Sequence, residues 1–230
     1  MTPYDEESYK AYLEKELSRF ESRQDKGLEL LEFVLEFQNP AVLDLGCGAG
    51  QELLQFSNRK GVLKIGVDVE SAAGGIFKQL HSRRDGERIF FINSAGEELP
   101  FAKESFHLII CRVALPYMHS RTAIREMSRI LAPEGRILLT VHAPGFYLHM
   151  IRKRLGSFSV KQLAYPVICF AGGIWFLLTA RQPRGAFWKS KETFHTKAML
   201  ARELNACGLG IIEDGPAEGK GGHTYLIGKR

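Results

Sequence analysis

Three glycines at alternate positions, Gly46, Gly48 and Gly50, are the most chemically suggestive feature of the sequence. They follow a short apolar run that contains a single acid, Asp44. This order is typical of a buried strand that ends in a glycine turn and opens into a helix, here over about 51–59. A turn without side chains lets the backbone approach a ligand, and the free N–H groups at the start of the helix face the same point. The stretch therefore predicts a site for a ligand with a carboxylate, a phosphate or another polar edge.

A second apolar run, 62–69, contains another acid, Asp68, at its end, and Glu70 follows closely. In Rossmann-like folds an acid at the end of the second strand accepts hydrogen bonds from ribose hydroxyls. We therefore expect Asp68 to bind a ribose, with Glu70 as the alternative. The G-x-G-x-G spacing of the turn differs from the G-x-G-x-x-G spacing that dinucleotides favour, which disfavours an NAD-dependent oxidoreductase.

The stretch 44–50, Asp-Leu-Gly-Cys-Gly-Ala-Gly, resembles motif I of the class I S-adenosylmethionine-dependent methyltransferases. Further stretches that resemble motifs of this family are 94–101, 105–111 and 124–139. Three positions depart from the family's pattern, because Ala95 and His107 stand where acids are usual and Glu134 stands where a glycine is usual. The sequence is most similar to small-molecule enzymes of the ubiquinone and menaquinone biosynthesis type.

This resemblance implies a Rossmann-like α/β fold. Its seven-stranded, mostly parallel sheet would carry an antiparallel C-terminal hairpin and helices on both faces. We expect one domain, 1–230, in which 1–38 form N-terminal cap helices and 145–193 form an apolar helical insert or lid. The resemblance resumes at the level of topology over 194–230, where a helix and two strands are predicted.

The resemblance also implies S-adenosylmethionine as the cofactor and places its binding residues on the glycine turn and after the next strands. These candidates are Asp44, Gly46, Cys47, Gly48, Gly50, Asp68, Val69, Ala95, Gly96, Glu97, Cys111 and Arg112. Because Ala95 has no carboxylate for the adenine amino group, the backbone of Gly96 or the side chain of Ser94 or Glu97 is expected to replace that contact.

Ligands of open parallel sheets bind at the carboxyl ends of the strands, so the residues that follow the fourth and fifth strands should face the acceptor. A phenol or hydroxyl acceptor benefits from a general base, and His142 and His119 are the candidates. Tyr117 and Tyr147 are the candidates for contact with the acceptor.

Composition limits the partners of the chain. A formal net charge of +5 comes from basic residues that are spread out, so no nucleic acid partner is expected. The four cysteines are widely separated and form no C-x-x-C pair, which predicts free thiols and no metal site. The acidic N-terminus has no apolar core, so a cytoplasmic location is expected. The oligomeric state is left open.

The insert is unusual because 162–180 contains no charged residue and basic residues flank it on both sides. Pro166, Gly172 and Gly173 interrupt this run, and a membrane span would separate the last strands from their sheet. Three alternatives remain: a lid over an apolar pocket, a membrane-interface contact through 145–184, or ordinary core packing.

The first two alternatives favour an apolar acceptor, such as a lipid-like, quinone or polyketide-like molecule. The sequence therefore predicts an S-adenosylmethionine-dependent methyltransferase that acts on an apolar small-molecule or lipid-like acceptor. The alternative is a catalytically inactive, membrane-associated or regulatory protein that retains the fold, and the changes at Ala95 and His107 support it.

Overall fold

The fold is described from a computed structural model. The residues that the structure describes are 11, 15, 18, 28–57, 59, 61–81, 88–155, 160–188, 191–216 and 221–230. Of the predicted cap helices over 1–38, the structure describes α1, Leu28–Leu35. The rest of that prediction lies almost entirely outside the described residues.

Seven strands form one sheet with the order β3-β2-β1-β4-β5-β7-β6. Their bounds are β1 Ala41–Leu45, β2 Leu63–Asp68, β3 Ile89–Asn93, β4 Phe106–Arg112, β5 Leu131–His142, β6 Leu209–Pro216 and β7 Gly222–Lys229. The first five strands pair in parallel, whereas β7 runs antiparallel to both β5 and β6. The predicted sheet, with its antiparallel C-terminal pair, is confirmed.

The central strands read as continuous apolar runs because both of their faces are covered. Successive side chains of a strand point to opposite faces, and Leu43 and Ile109 enter one core cluster while Val42 and Leu108 enter another. Parallel pairing aligns β1, β4 and β5, so their carboxyl ends meet at one edge. The glycine turn and the residues after β4 and β5 therefore lie at the same edge.

The remaining helices differ in part from the prediction. They are α2 Ser71–His81, α3 Ser120–Ile130, α4 Pro144–Leu155, α5 Val160–Thr179 and α6 Lys197–Asn205. Short 3₁₀ segments cover Gln51–Phe56, Leu115–Tyr117 and Ala186–Trp188. The helix predicted over 51–59 is wrong in type and length, because i→i+3 bonds such as Leu53 N to Gly50 O close the turns and Ser57 is extended.

The insert folds as two helices, α4 and α5, that pack on each other and on the sheet edge. Tyr147, Cys169, Phe176 and Phe194 form a buried apolar cluster between the helices and the chain that returns from them. Helix α5 passes directly against the Phe194 ring at Gly173, where a Cβ would stand 2.2 Å from the ring. None of the helices formed by the described residues is long and apolar enough to cross a membrane.

Candidate active site

The glycine turn is held in a shape that requires glycine. Gly46 and Gly50 have φ angles of 73° and 77°, in the left-handed region. The N–H groups of Gly46 and Cys47 donate to Val67 O at 2.8 and 3.0 Å, which ties the turn to β2. A Cβ on Gly46 would stand 2.2 Å from the Ala114 Cβ. The turn therefore passes directly against the loop after β4 and leaves no space for a side chain there.

Asp68 joins the end of β2 to the glycine turn. Its Oδ2 accepts from Gly48 N and its Oδ1 accepts from Glu70 N, both at 2.9 Å. Burial raises the pKa of Asp68, against which the backbone hydrogen bonds from Glu70 and Gly48 act. Each carboxylate oxygen has a second lone pair for a ribose hydroxyl. The structure thus brings two predicted cofactor residues, Asp68 and Gly48, into direct contact.

The predicted adenine side combines open and buried positions. Val69 is 66% exposed beside Asp68 and offers an apolar wall. Gly96 is buried, and a Cβ there would stand 2.6 Å from the Met118 sulfur. Glu97 Oε1 accepts from His119 N at 2.6 Å and so links the loop after β3 to the loop after β4. The glycine turn without side chains, the Asp68 carboxylate and the exposed Val69 side chain fit the polar groups and the adenine ring of an adenosyl cofactor.

The two cysteine candidates face the core. Cys47 and Cys111 are buried, and burial raises the pKa of both thiols, that of Cys111 to about 12. Only their backbone groups are therefore suited to contact a cofactor. Arg112 lies at the end of β4, where its Nε is 3.1 Å from Glu52 Oε2. Asp44 is buried on β1, directly behind the turn.

At the acceptor end, His142 meets an acid that the sequence analysis missed. Glu192 Oε2 accepts from His142 Nδ1 at 2.6 Å and from the Tyr147 hydroxyl at 2.8 Å. Its Oε1 accepts from the hydroxyls of Tyr117 at 2.7 Å and Tyr165 at 3.1 Å. One carboxylate thus gathers a predicted catalytic residue and both predicted acceptor-contacting tyrosines.

Two backbone hydrogen bonds hold the return segment, described over 182–188 and 191–195, across the ends of the strands. Thr193 N donates to Pro116 O at 3.2 Å, and His195 N donates to His142 O at 3.1 Å. Both bonds follow Glu192 directly in the chain and so fix the position of its carboxylate beside His142. One signal in the sequence pointed to this residue, since Glu192 is the only acid in 145–193.

In the cluster formed by Glu192 and its hydrogen-bond donors, the carboxylate is charged and the surrounding phenols are neutral. Burial alone would raise the pKa of Glu192, but the hydrogen bonds from His142 and from the tyrosines outweigh it, and the pKa is lowered. Burial, and then the charge of Glu192, raise the pKa of Tyr117, Tyr147 and Tyr165. The carboxylate is therefore charged, and the three phenols stay protonated as donors.

This arrangement sets the tautomer of His142. The four donors occupy both lone pairs on each carboxylate oxygen, so Nδ1 of His142 carries a proton, and in the neutral imidazole Nε2 is then the acceptor. Nε2 has no hydrogen-bond partner among the described residues. The imidazole is stacked on Phe146, with ring centroids 3.6 Å apart and planes 7° apart. A fixed ring with a basic nitrogen is what a general base requires.

His119, the second predicted base, has both nitrogens engaged. Nδ1 lies 2.6 Å from Thr122 Oγ1, and Nε2 contacts the guanidinium of Arg184. Burial and then the charge of Arg184 lower the pKa of His119. His107, which replaces a usual acid, accepts from Ala41 N at 3.2 Å and packs on Phe37, so its position is structural.

Comparison with known proteins supports one class. Residues 42–135 match a protein family described as "Methyltransferase domain". Together with the sheet order and the glycine turn, this match supports a class I S-adenosylmethionine-dependent methyltransferase fold. The family resemblance read from motif I is confirmed.

Among relatives, the uncharacterized methyltransferase YcgJ of Bacillus subtilis is 34% identical over 145 residues, 54% of this chain and 57% of that protein. The 27-O-demethylrifamycin SV methyltransferase of Amycolatopsis mediterranei is 27% identical over 106 residues, 43% of this chain and 37% of that enzyme. The chain thus spans about half or less of the length of these relatives. The fold is also similar to magnesium protoporphyrin IX methyltransferase from Synechocystis with bound SAH, with a TM-score of 0.62 at 16% identity over 94% of this chain and 84% of that one.

Proposed function

We propose that the protein transfers a methyl group to a hydroxyl or phenol oxygen of an apolar small-molecule acceptor, with His142 as the general base. The observation that carries this proposal is the saturated Glu192 carboxylate, which holds a proton on Nδ1 of His142 and leaves Nε2 as an acceptor. S-adenosylmethionine, when bound at the glycine turn, supplies the activated methyl group of its sulfonium.

The residues of the chain have three tasks in this reaction. The turn at Gly46–Gly50 and Asp68 orient the cofactor at the edge of the sheet, two strands from His142, a lateral distance of about 10 Å. Nε2 of His142 takes the proton of the acceptor hydroxyl as the oxygen–carbon bond forms. The resulting imidazolium then lies against the Glu192 carboxylate, whose charge stabilises it.

The apolar character of the acceptor is inferred from the walls of this region. The Phe146 ring, stacked on His142, and the half-exposed Tyr117 ring offer aromatic surface beside the base. Two of the similar proteins are named for methylating 27-O-demethylrifamycin SV and magnesium protoporphyrin IX. The non-catalytic alternative is not favoured, since the His107 change is absorbed away from the site.

The test is release of S-adenosylhomocysteine from S-adenosylmethionine during a screen of apolar phenols, hydroquinones and long-chain alcohols. For any acceptor that is turned over, His142→Gln should lower kcat by about 100-fold or more while the affinity for S-adenosylhomocysteine stays the same. His149→Gln, at an exposed position on α4, is the matched control and should keep full activity. Turnover that survives in His142→Gln would rule out this base.

A peripheral membrane contact through 145–184 is a second proposal, supported by the exposed apolar side chains of the insert. Trp175 is 56% exposed and Leu178 is 78% exposed, and Arg152 and Lys153 lie exposed at the end of α4. Wild-type protein should sediment with anionic phosphatidylglycerol vesicles more than with phosphatidylcholine vesicles, and Leu178→Ser should reduce this. Equal recovery in the supernatant with and without vesicles would contradict the contact.

A further inference from the structure

A cleft of about 380 Å³ lies beside the Glu192 cluster, between the loop after β4 and the return segment. Tyr117 and Thr193 line it, and these residues adjoin Glu192 through a hydrogen bond and through the chain. Met118 forms another wall, and the same side chain packs against Gly96. The cleft therefore lies next to both the proposed base and the proposed cofactor site, and its size is in the range of a small-molecule pocket.

The charges that line this cleft are all positive. Among the described residues, its lining contains the cations Arg184 and Lys191, the imidazole of His119 and the aromatic rings of Tyr117 and Trp188, and no aspartate or glutamate. Arg184 contacts His119, which accepts through Nε2 as a neutral imidazole. A cation that rests on a neutral acceptor keeps its charge available for a ligand.

Lys191 is held in a similar way. Its Nζ lies 4.0 Å from the centroid of the Phe187 ring and donates to Phe187 O. Among the described residues, neither Lys191 nor Arg184 has a carboxylate within ion-pair distance. The nearest acids along these contacts are Glu97, which binds the backbone of His119, and Glu192, whose oxygens are saturated. Two uncompensated cations in a cleft with aromatic walls match an anionic ligand with a ring or apolar body.

We propose that this cleft binds a carboxylate or phosphate group of the acceptor, through Arg184 and Lys191, with the ring of Trp188 against the acceptor's apolar body. That the occupant is the acceptor rests on the proposed function. The acceptor class then becomes more specific: an amphiphilic acid whose hydroxyl is methylated. The anionic group would fix its orientation, while the other end reaches toward Tyr117 and His142.

A matched pair of probes tests the charge alone: 2-naphthoate and its uncharged counterpart 2-naphthamide. The sequence contains two tryptophans, Trp175 and Trp188, so a Trp175→Phe background makes Trp188 the only tryptophan reporter of binding. We expect 2-naphthoate to bind at least tenfold more tightly than 2-naphthamide at 0.15 M salt. Arg184→Gln and Lys191→Gln should each lower the affinity for 2-naphthoate by about tenfold and leave the affinity for 2-naphthamide within twofold of the parent protein.

Arg152→Gln on α4 is the control, since it removes one positive charge outside the cleft and should leave both affinities within twofold. Equal affinity for the two probes, no binding of either, or an unchanged 2-naphthoate affinity in both cleft variants would overturn the proposal. If inorganic phosphate competes with 2-naphthoate, the acceptor carries a phosphate group. If it does not compete, the acceptor carries a carboxylate. This titration needs no methyl transfer, so an enzyme without turnover would refute the proposed function and leave the anion site intact.

Discussion

Glu192→Gln is the perturbation that tests the buried cluster most sharply, because it keeps the shape of the side chain and removes its charge. The amide nitrogen replaces one carboxylate oxygen and therefore faces two donors, either Tyr117 and Tyr165 or His142 and Tyr147. The tyrosine hydroxyls can turn to accept from this amide, but the hydrogen bonds of the group lose their charge assistance, and bonds to a charged group contribute about 1.5–3 kcal/mol each against about 1 kcal/mol for neutral ones. Relief from burying the charge offsets part of this loss.

We expect a net decrease of about 3 kcal/mol in the free energy of unfolding at pH 7. For a chain of this size the melting temperature should fall by roughly 6–12 °C. Glu134→Gln, the same change at an exposed position of β5, is the control and should melt within about 1 °C of wild type. Differential scanning calorimetry of the three proteins measures both effects. A shift below about 2 °C in Glu192→Gln would refute the four-bond description of this carboxylate.

The pH dependence of this difference has a definite sign. The pKa of Glu192 is lowered in the folded state, so its carboxylate stabilises the fold above the ordinary glutamate pKa of about 4.3. This stabilisation is lost as the pH falls through the folded-state pKa. The difference in the free energy of unfolding between wild type and Glu192→Gln should therefore stay constant from pH 8 to pH 5 and decrease toward zero at lower pH. A gap that widens in acid would contradict the assigned ionisation.

Two further predictions concern the turn and a second buried histidine. Gly46→Ala should lower the melting temperature by several degrees, because its Cβ would stand 2.2 Å from the Ala114 Cβ. Gly75→Ala on α2 places its Cβ where no atom lies within 4 Å, so it should stabilise the protein by about 0.5–1 kcal/mol. Calorimetry measures both changes, and equal effects of the two variants would contradict the packing at Gly46. Burial lowers the pKa of His195 to about 4. As the pH falls from 6.5 to 4, the unfolded chain therefore takes up a proton at this residue that the folded chain does not. The free energy of unfolding should decrease by about 3 kcal/mol over that range. Urea unfolding at several pH values should show a shallower fall in His195→Gln, and an unchanged slope would count against this role.

Local patterns account for most of the fold that the sequence predicted. The apolar runs that end at Leu45 and Val69 and the glycines between them indicated parallel strands around a turn, because fully covered strands lack polar alternation. The prediction for 51–59 failed since periodicity does not distinguish a 3₁₀ segment from a short α-helix. The Gln55 side chain also donates to Glu52 O, and Ser57 ends the segment.

The acceptor end was less predictable because its contacts are distant in sequence. Glu192 is 50 residues from His142 and 75 from Tyr117, and no local spacing signals such a cluster. In the sequence Gly172 and Gly173 interrupt an apolar run, yet in the structure both lie inside α5, against Trp188 and Phe194 respectively. Long-range packing determined these positions, and propensity alone indicated only that the segment was apolar.

We propose that the glycine turn and Asp68 together form the binding site for S-adenosylmethionine. Calorimetric titration of S-adenosylhomocysteine into wild type, Asp68→Ala and the neighbouring control Glu70→Gln tests it directly. We expect micromolar affinity in wild type, an affinity within about twofold in the control, and at least 30-fold weaker binding in Asp68→Ala, which should remain folded by calorimetry. Absence of binding to wild type, or equal binding to Asp68→Ala, would rule out this cofactor site.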